Sequence, residues 1–325
     1  MVNAFALNRA RAGLVLVYLL AAAHPARAFD EPSVNLGASS FFDGTAALKN
    51  GEADPGFYFN QYGQWYTAHR FNDAQGHAIP GTPRLEVATS LTQLIYLMDK
   101  PHVLGGRFGF DALIPVVGLD ARPGDGFLNA SPNVLGDLTA GLAYQSDLIM
   151  YGSTTNPLFM HRIDLDVIVP TGHYDRNYAL NPGANFLSFN PYWAGTLFLG
   201  SKVVSSWRLH YLWNDVNNQP YIAHYGPNAR VQAGQAVHLN FDLAYDLYDH
   251  RLYAGMNSYY FKQLNESQIN GISAAGTEER VFGIGPGAAF RISEKANLLL
   301  NVYFETAVEN RPSGTRLNAV FAYHF

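Results

Sequence analysis

The 325-residue chain contains no cysteine, so it has neither a disulfide framework nor a thiolate metal site. Charge is also scarce. Asp, Glu, Lys and Arg make up 14% of residues, against about 25% in an ordinary soluble domain. No basic face is visible that would hold nucleic acid. Long apolar runs are missing too. Val203 to Trp213 is broken by Ser205, Ser206, Arg208 and His210, and a spanning helix needs about 20 apolar residues. A chain of this kind enters a bilayer only as a closed barrel, because lipid offers no partner to an unpaired backbone group.

Aromatic residues are plentiful, at 14%. With so little charge, that suits a wall with one face in lipid and aromatic girdles at both interfaces. Met1 to Ala28 reads as an export signal. Arg9 and Arg11 precede the apolar core Gly13–Ala23, and Ala26-Arg27-Ala28 forms an A-x-A cleavage site. Without that segment, 18 basic residues stand against 26 acidic ones, a net charge of −8. Residues 29–53 read as a periplasmic leader or a plug folded into the barrel, with Phe41 and Phe42 as the plug's apolar contact. Residues 54–325 form the barrel.

Period-two alternation recurs along this last segment, as expected where alternate side chains face lipid and lumen. Val237, Leu239, Phe241, Leu243, Tyr245 and Leu247 form one face of a strand, and His238, Asn240, Asp242, Ala244 and Asp246 the other. About twelve such strands are expected, at 56–67, 84–98, 103–117, 134–147, 158–169, 187–200, 205–215, 232–248, 251–264, 278–291, 295–307 and 315–325. Short turns (Asp99–His102, Lys202–Val204, Asp249–His250, Ser293–Glu294) alternate with longer loops rich in Gly, Pro and Asn. The connection at 148–157 is longer than this scheme predicts. The last strand alternates to a terminal Phe325, the pattern that the barrel-assembly machinery reads in outer-membrane proteins. The fold expected is all-β: a transmembrane antiparallel up-and-down barrel of the bacterial outer-membrane type, among lipids and lipopolysaccharide.

The polar face supplies Arg107, Asp111, Asp164, Asp166, Arg208, His210, His238, Asn240 and Asp242 as a mid-height lining for a solute path. Charges of both signs tune what passes, or pair with each other and fill a narrow lumen. The loop aromatics Phe71, Phe127, Tyr174, Tyr178, Phe186, Tyr221 and Tyr225 suit either capture of apolar solutes or packing of the loops onto the rim. No catalytic residue, cofactor or metal site is expected. The chain has no G-x-S-x-G or H-E-x-x-H motif, and its eleven histidines are scattered, with His161 the one on an outward face.

Several segments resemble the outer-membrane family of phenol meta-pathway degradation proteins. They are Leu36–Thr45 (LGASSFFDGT), Pro55–Tyr58, Val167–Asp175 (VIVPTGHYD) and Asn190-Pro191-Tyr192. The resemblance implies a barrel linked with aromatic-compound catabolism. The expected function is uptake of small hydrophobic or aromatic compounds by a monomer, with a general small-solute porin or a structural, adhesive barrel as the alternatives.

Overall fold

A computed structural model describes residues 34, 36–37, 54–81, 84–122, 128–153 and 155–325. Twelve long strands follow one another: β1 Gly56–Phe71, β2 Arg84–His102, β3 Gly106–Arg122, β4 Leu138–Ser146, β5 Pro157–Val169, β6 Tyr192–Leu199, β7 Val203–Asn214, β8 Ala236–Tyr248, β9 Leu252–Gln263, β10 Arg280–Arg291, β11 Ala296–Glu309 and β12 Pro312–His324. Each pairs antiparallel with the next, and β12 pairs with β1 from Tyr58↔His324 to Phe71↔Pro312. The sheet therefore closes on itself and leaves no long edge unpaired. Among the described residues no helix is long and apolar enough to cross a membrane.

Alternation decides which side chains point outward. Leu94, Ile114, Leu142, Leu165, Leu243 and Leu317 are all exposed and form a belt of apolar surface around the wall. Phe57, Tyr96, Tyr248, Phe290 and Phe325 are exposed beside the short turns, where an aromatic girdle is expected. In β8 the outward Phe241, Leu243, Tyr245 and Leu247 are exposed while His238, Asn240, Asp242, Ala244 and Asp246 are buried inside. A one-residue slip would exchange the two sets, so the pattern also fixes the register.

The turns depart from the sequence expectation in instructive ways. Asp249-His250 is a tight two-residue turn as expected. Both residues take positive φ (40° and 57°), and Asp246 Oδ1 accepts the Tyr248 and His250 amides at 3.1 and 3.0 Å. The turn expected at Asp99–His102 lies farther on, because His102 still pairs with Arg107, and the reversal falls at Leu104 and Gly105, both with positive φ. The long 148–157 connection is shortened by pairing of Ile149 with Phe159 and Met150 with Pro157.

Between those pairs and β4 the ladder breaks. There Ser146 Oγ accepts the His161 amide at 2.9 Å. Ser146→Val leaves that N–H without its acceptor and should lower unfolding stability by about 1–3 kcal/mol, read as an earlier urea midpoint in detergent micelles. A second break precedes β6. Ser188–Phe189 pairs with β5 and β7, and the ladder is then interrupted at Pro191, which has no N–H to offer it, with the same register on both sides of the gap.

Candidate functional site

Inside the barrel the side chains form layers. Toward the turn rim, Tyr62, Leu91, Val204, Ala244, Leu299 and Val320 form one apolar cluster, and Tyr58, Ile95, Leu97 and Met160 another. Toward the loop rim, Tyr66, Ala68, Phe71, Leu85 and Leu128 pack together. On the other side, Leu212, Tyr259, Phe261, Val281, Tyr303 and Val308 surround Leu36. Between these layers runs a polar belt. It includes Asp111 on β3 and Asp166 on β5, both opposite Gly141, Arg208 on β7 opposite Asn240 on β8, Asp242 two positions along β8, and Asn301 on β11 opposite Asn318 on β12.

Eight of the nine predicted lining residues lie in or beside this belt. Asp111, Asp164, Asp166, His210, His238, Asn240 and Asp242 are buried inside the wall, and Arg208 lies over the Tyr192 ring at 5.0 Å. Arg107 is the exception. It sits at the turn rim and pairs with Asp147 at 3.2 Å, because β2 and β3 extend past the expected turn. His210 and His238 stack with ring centroids 3.9 Å apart, and His238 Nε2 lies 3.1 Å from Asn190 Oδ1. Charge pairing is extensive. Arg162, a belt residue that the sequence reading did not select, donates from Nε to Asp164 Oδ2 at 2.9 Å and lies 3.6 Å from Asp111 Oδ2.

Above the belt lies a cavity of about 290 Å³. One wall is aliphatic, from Leu85, Val87 and Leu91 on β2 and Leu113, Pro115 and Val117 on β3. The other is polar and carries Asp166, Arg208, His210 and His238, and Gln93 and Arg316 also line the cavity. Val34 and Leu36 also line it. Arg316 is held over the Tyr66 and Tyr259 rings at 4.8 and 5.6 Å, and both tyrosine hydroxyls donate to Glu305, at 2.7 and 2.6 Å.

The loop after β5 covers this mouth, with Ala179–Pro182 in the cavity lining. The Pro170-Thr171-Gly172 segment holds it there. Thr171 Oγ1 accepts the Leu138 amide at 3.0 Å, and Asp137 accepts the Gly172 and Ala184 amides at 2.8 and 2.7 Å. Burial pushes the Asp137 carboxyl above the usual carboxylate range, against the pull of those two donors. Three of the loop aromatics are engaged in packing at the loop rim. Phe71 and Phe186 are buried, and Tyr174 donates to the Gln219 carbonyl at 2.8 Å. Phe127, Phe41 and Phe42 lie outside the described residues, as do residues 1–28.

Leu36 and Gly37 belong to the segment read as a leader or plug, and both lie within the lumen. Leu36 is 1% exposed, and Asn318 Nδ2 donates to the Gly37 carbonyl.

A closed twelve-strand antiparallel barrel with an apolar outer belt and a polar inner one has the architecture of outer-membrane β-barrel proteins. The chain belongs to the family described as "Putative MetA-pathway of phenol degradation", whose model matches residues 68–321. An outer membrane channel from Pseudomonas putida F1 is similar in structure, with a TM-score of 0.73 at 20% identity over 85% of this chain and 98% of that one. The β-domain of the Bordetella autotransporter BrkA (TM-score 0.47, 13% identity, 84% of this chain and 100% of that one) and the KdgM porin (TM-score 0.41, 8% identity, 82% and 99%) are more distant. No curated protein matches the chain in sequence.

Proposed function

We propose that this protein is a bacterial outer-membrane channel that admits small apolar or aromatic molecules one at a time through an occluded lumen. The observation that carries the reading is the cavity with one aliphatic and one polar wall. Small-molecule sites are concave and mostly apolar, with a few placed polar groups. An apolar cavity of about 150 Å³ suffices for benzene, so 290 Å³ accommodates a substituted ring. The polar wall suits a phenolic hydroxyl, with histidine nitrogens, amides and guanidiniums within the same space. Membership of a family described by phenol degradation agrees with that substrate class. A general porin fits less well, because apolar clusters occupy the lumen toward the turn rim.

The test is flux into liposomes bearing the refolded protein and an added lipopolysaccharide leaflet. Phenol or toluene is compared with a small sugar and with ion current, against protein-free vesicles. Faster aromatic entry with little ion current supports the reading. Sugar and ion flux without aromatic preference makes the barrel a general porin, and no flux of any solute points to a structural or adhesive role. Leu113→Trp puts an indole into the cavity from its aliphatic wall. Aromatic entry should then fall by about 10-fold or more, the scale on which a misfitting group acts in a fitted apolar pocket.

A further inference from the structure

We infer that Asp111, Asp164 and Asp166 form a binding site for a hard divalent cation, with Ca2+ the ion that fits best. The sequence gives no hint of this, since the residues share no metal motif. Pairing register brings them together. Asp111 on β3 and Asp166 on β5 both lie opposite Gly141 on β4, and Asp164 precedes Asp166 by two positions on β5. One carboxylate oxygen from each lies within 4.8 Å of the others. Ligands at the Ca2+ distance of about 2.4 Å are at most about 4.8 Å apart across the ion, so the three oxygens fit one shell.

Three further observations distinguish this cluster from a chance gathering of acids. First, the three side chains are at least nine-tenths buried, and the Oδ1 atom of each is buried without a hydrogen-bond partner. Unpaired buried carboxylate oxygens are costly, and a cation satisfies all three together.

Second, the opposite oxygens of Asp111 and Asp164 are held. Gln93 Nε2 donates to Asp111 Oδ2 at 2.7 Å, and Arg162 Nε and Tyr192 Oη both donate to Asp164 Oδ2 at 2.9 Å. Donors on the outer oxygens that turn the inner ones toward a common point are the outer-shell arrangement of metal sites.

Third, the space they face exists because residue 141 is glycine. A Cβ there would collide with Oδ1 of all three aspartates. Arg162 and Arg208 act on the group, and with all three carboxylates ionised, as they would be around a cation, three negative charges stand against two guanidiniums. The three carboxylates would hold the ion, with water from the adjoining cavity completing the shell. Asp166 lines that cavity, which gives the ion a way in.

The test uses the full mature chain, refolded without lipopolysaccharide in a non-ionic detergent. Calorimetry with Ca2+ should show one ion per barrel. Tb3+, a Ca2+ surrogate, should luminesce on excitation of tyrosine, since Tyr192 touches Asp164, and Ca2+ should quench that signal by displacement. Asp166→Asn should weaken Ca2+ by more than the roughly 10-fold typical of lost outer-shell partners, and Gly141→Ala should abolish binding by filling the site. Asp147→Asn, at the turn rim, should change nothing. Should the belt variants fail to refold, the wild type alone decides: its thermal midpoint must be higher in Ca2+ than in EGTA. No stoichiometric uptake, binding unchanged in both belt variants, or equal midpoints would each overturn the inference; in that event shared protons satisfy the carboxylates.

Discussion

Replacing Gly37 by valine should raise the ion conductance of the barrel. Gly37 sits in the lumen with φ of +65°, a conformation that a β-branched residue scarcely adopts. A Cβ there would also lie 2.9 Å from Tyr259 and 3.0 Å from Tyr303. Backbone strain of this kind costs on the order of 1–3 kcal/mol, and the crowding of two packed rings adds to it. Among the described residues, two contacts opposing eviction can be given a size. Burying Leu36 contributes about 1.5–3 kcal/mol, and the hydrogen bond from Asn318 to the Gly37 carbonyl about 1 kcal/mol. The two sides are of similar size, so valine should shift the docked population by one to two orders of magnitude. Single-channel recording in planar bilayers gives the readout. Wild type should show low conductance with rare openings, and the variant a several-fold larger and steadier current. Leu36→Ala should move in the same direction by a smaller step. Unchanged conductance in both would mean that the segment around Leu36 does not obstruct ions.

Arg162→Met is expected to have the largest effect on stability. The guanidinium is buried among Asp111 and Asp164, whose side chains are 1% and 0% exposed. Methionine matches the arginine stem in shape but removes the charge and the donors. Breaking a buried pair from one side costs about 3–5 kcal/mol, because the partner charge stays behind without compensation. That is a large share of the net stability of a typical fold. The urea midpoint in micelles should fall sharply, and the yield of refolded, heat-modifiable barrel with it. Adding Asp164→Asn to this variant should restore part of the loss, because the two residues share one network and their effects do not add. A double variant as unstable as the sum of the singles would show that Arg162 acts through packing alone.

How much of this was legible in the residues depends on the distance over which they act. Period two is a local signal. The inward placement of His238, Asn240 and Asp242 and the outward placement of Phe241, Leu243 and Tyr245 could be read directly from the β8 segment. Barrel closure was legible from the count of such segments and from the alternation ending at Phe325. The position of Arg107 was not. Asp99-Lys100-Pro101-His102 has turn composition, yet the ladder resumes at His102↔Arg107, and Leu104 and Gly105 make the reversal.

The meeting of Asp111 with Asp166 across Gly141 was also hidden. Each lies on the polar face of its own strand, but which residues stand opposite depends on register between segments more than twenty residues apart. Asn190 and Tyr192 stood out only as a family motif. Their contacts with His238 and Asp164 come from the register that Ser188–Phe189 and β6 share against β5 and β7, which sets both side chains on the inward face. The plug alternative placed its lumen contact at Phe41 and Phe42, which lie outside the described residues. Leu36 and Gly37 make such contact among the described residues, and the glycine that marks the spot carries no hydrophobic signal at all.

The seam between β1 and β12 also governs how the polypeptide acquires its shape. Tyr58 meets His324, so the first strand must wait for the last before its outer row of amides and carbonyls finds partners. Until then the wall is an open ribbon with two adhesive borders, one at each end of the chain. Contacts between such distant positions form slowly, because a long loop must close before any bond compensates for the lost freedom. A growing chain of this design is therefore most exposed to association with its neighbours just before it is complete, and an escort that shields those two borders would determine how much of it reaches its final form.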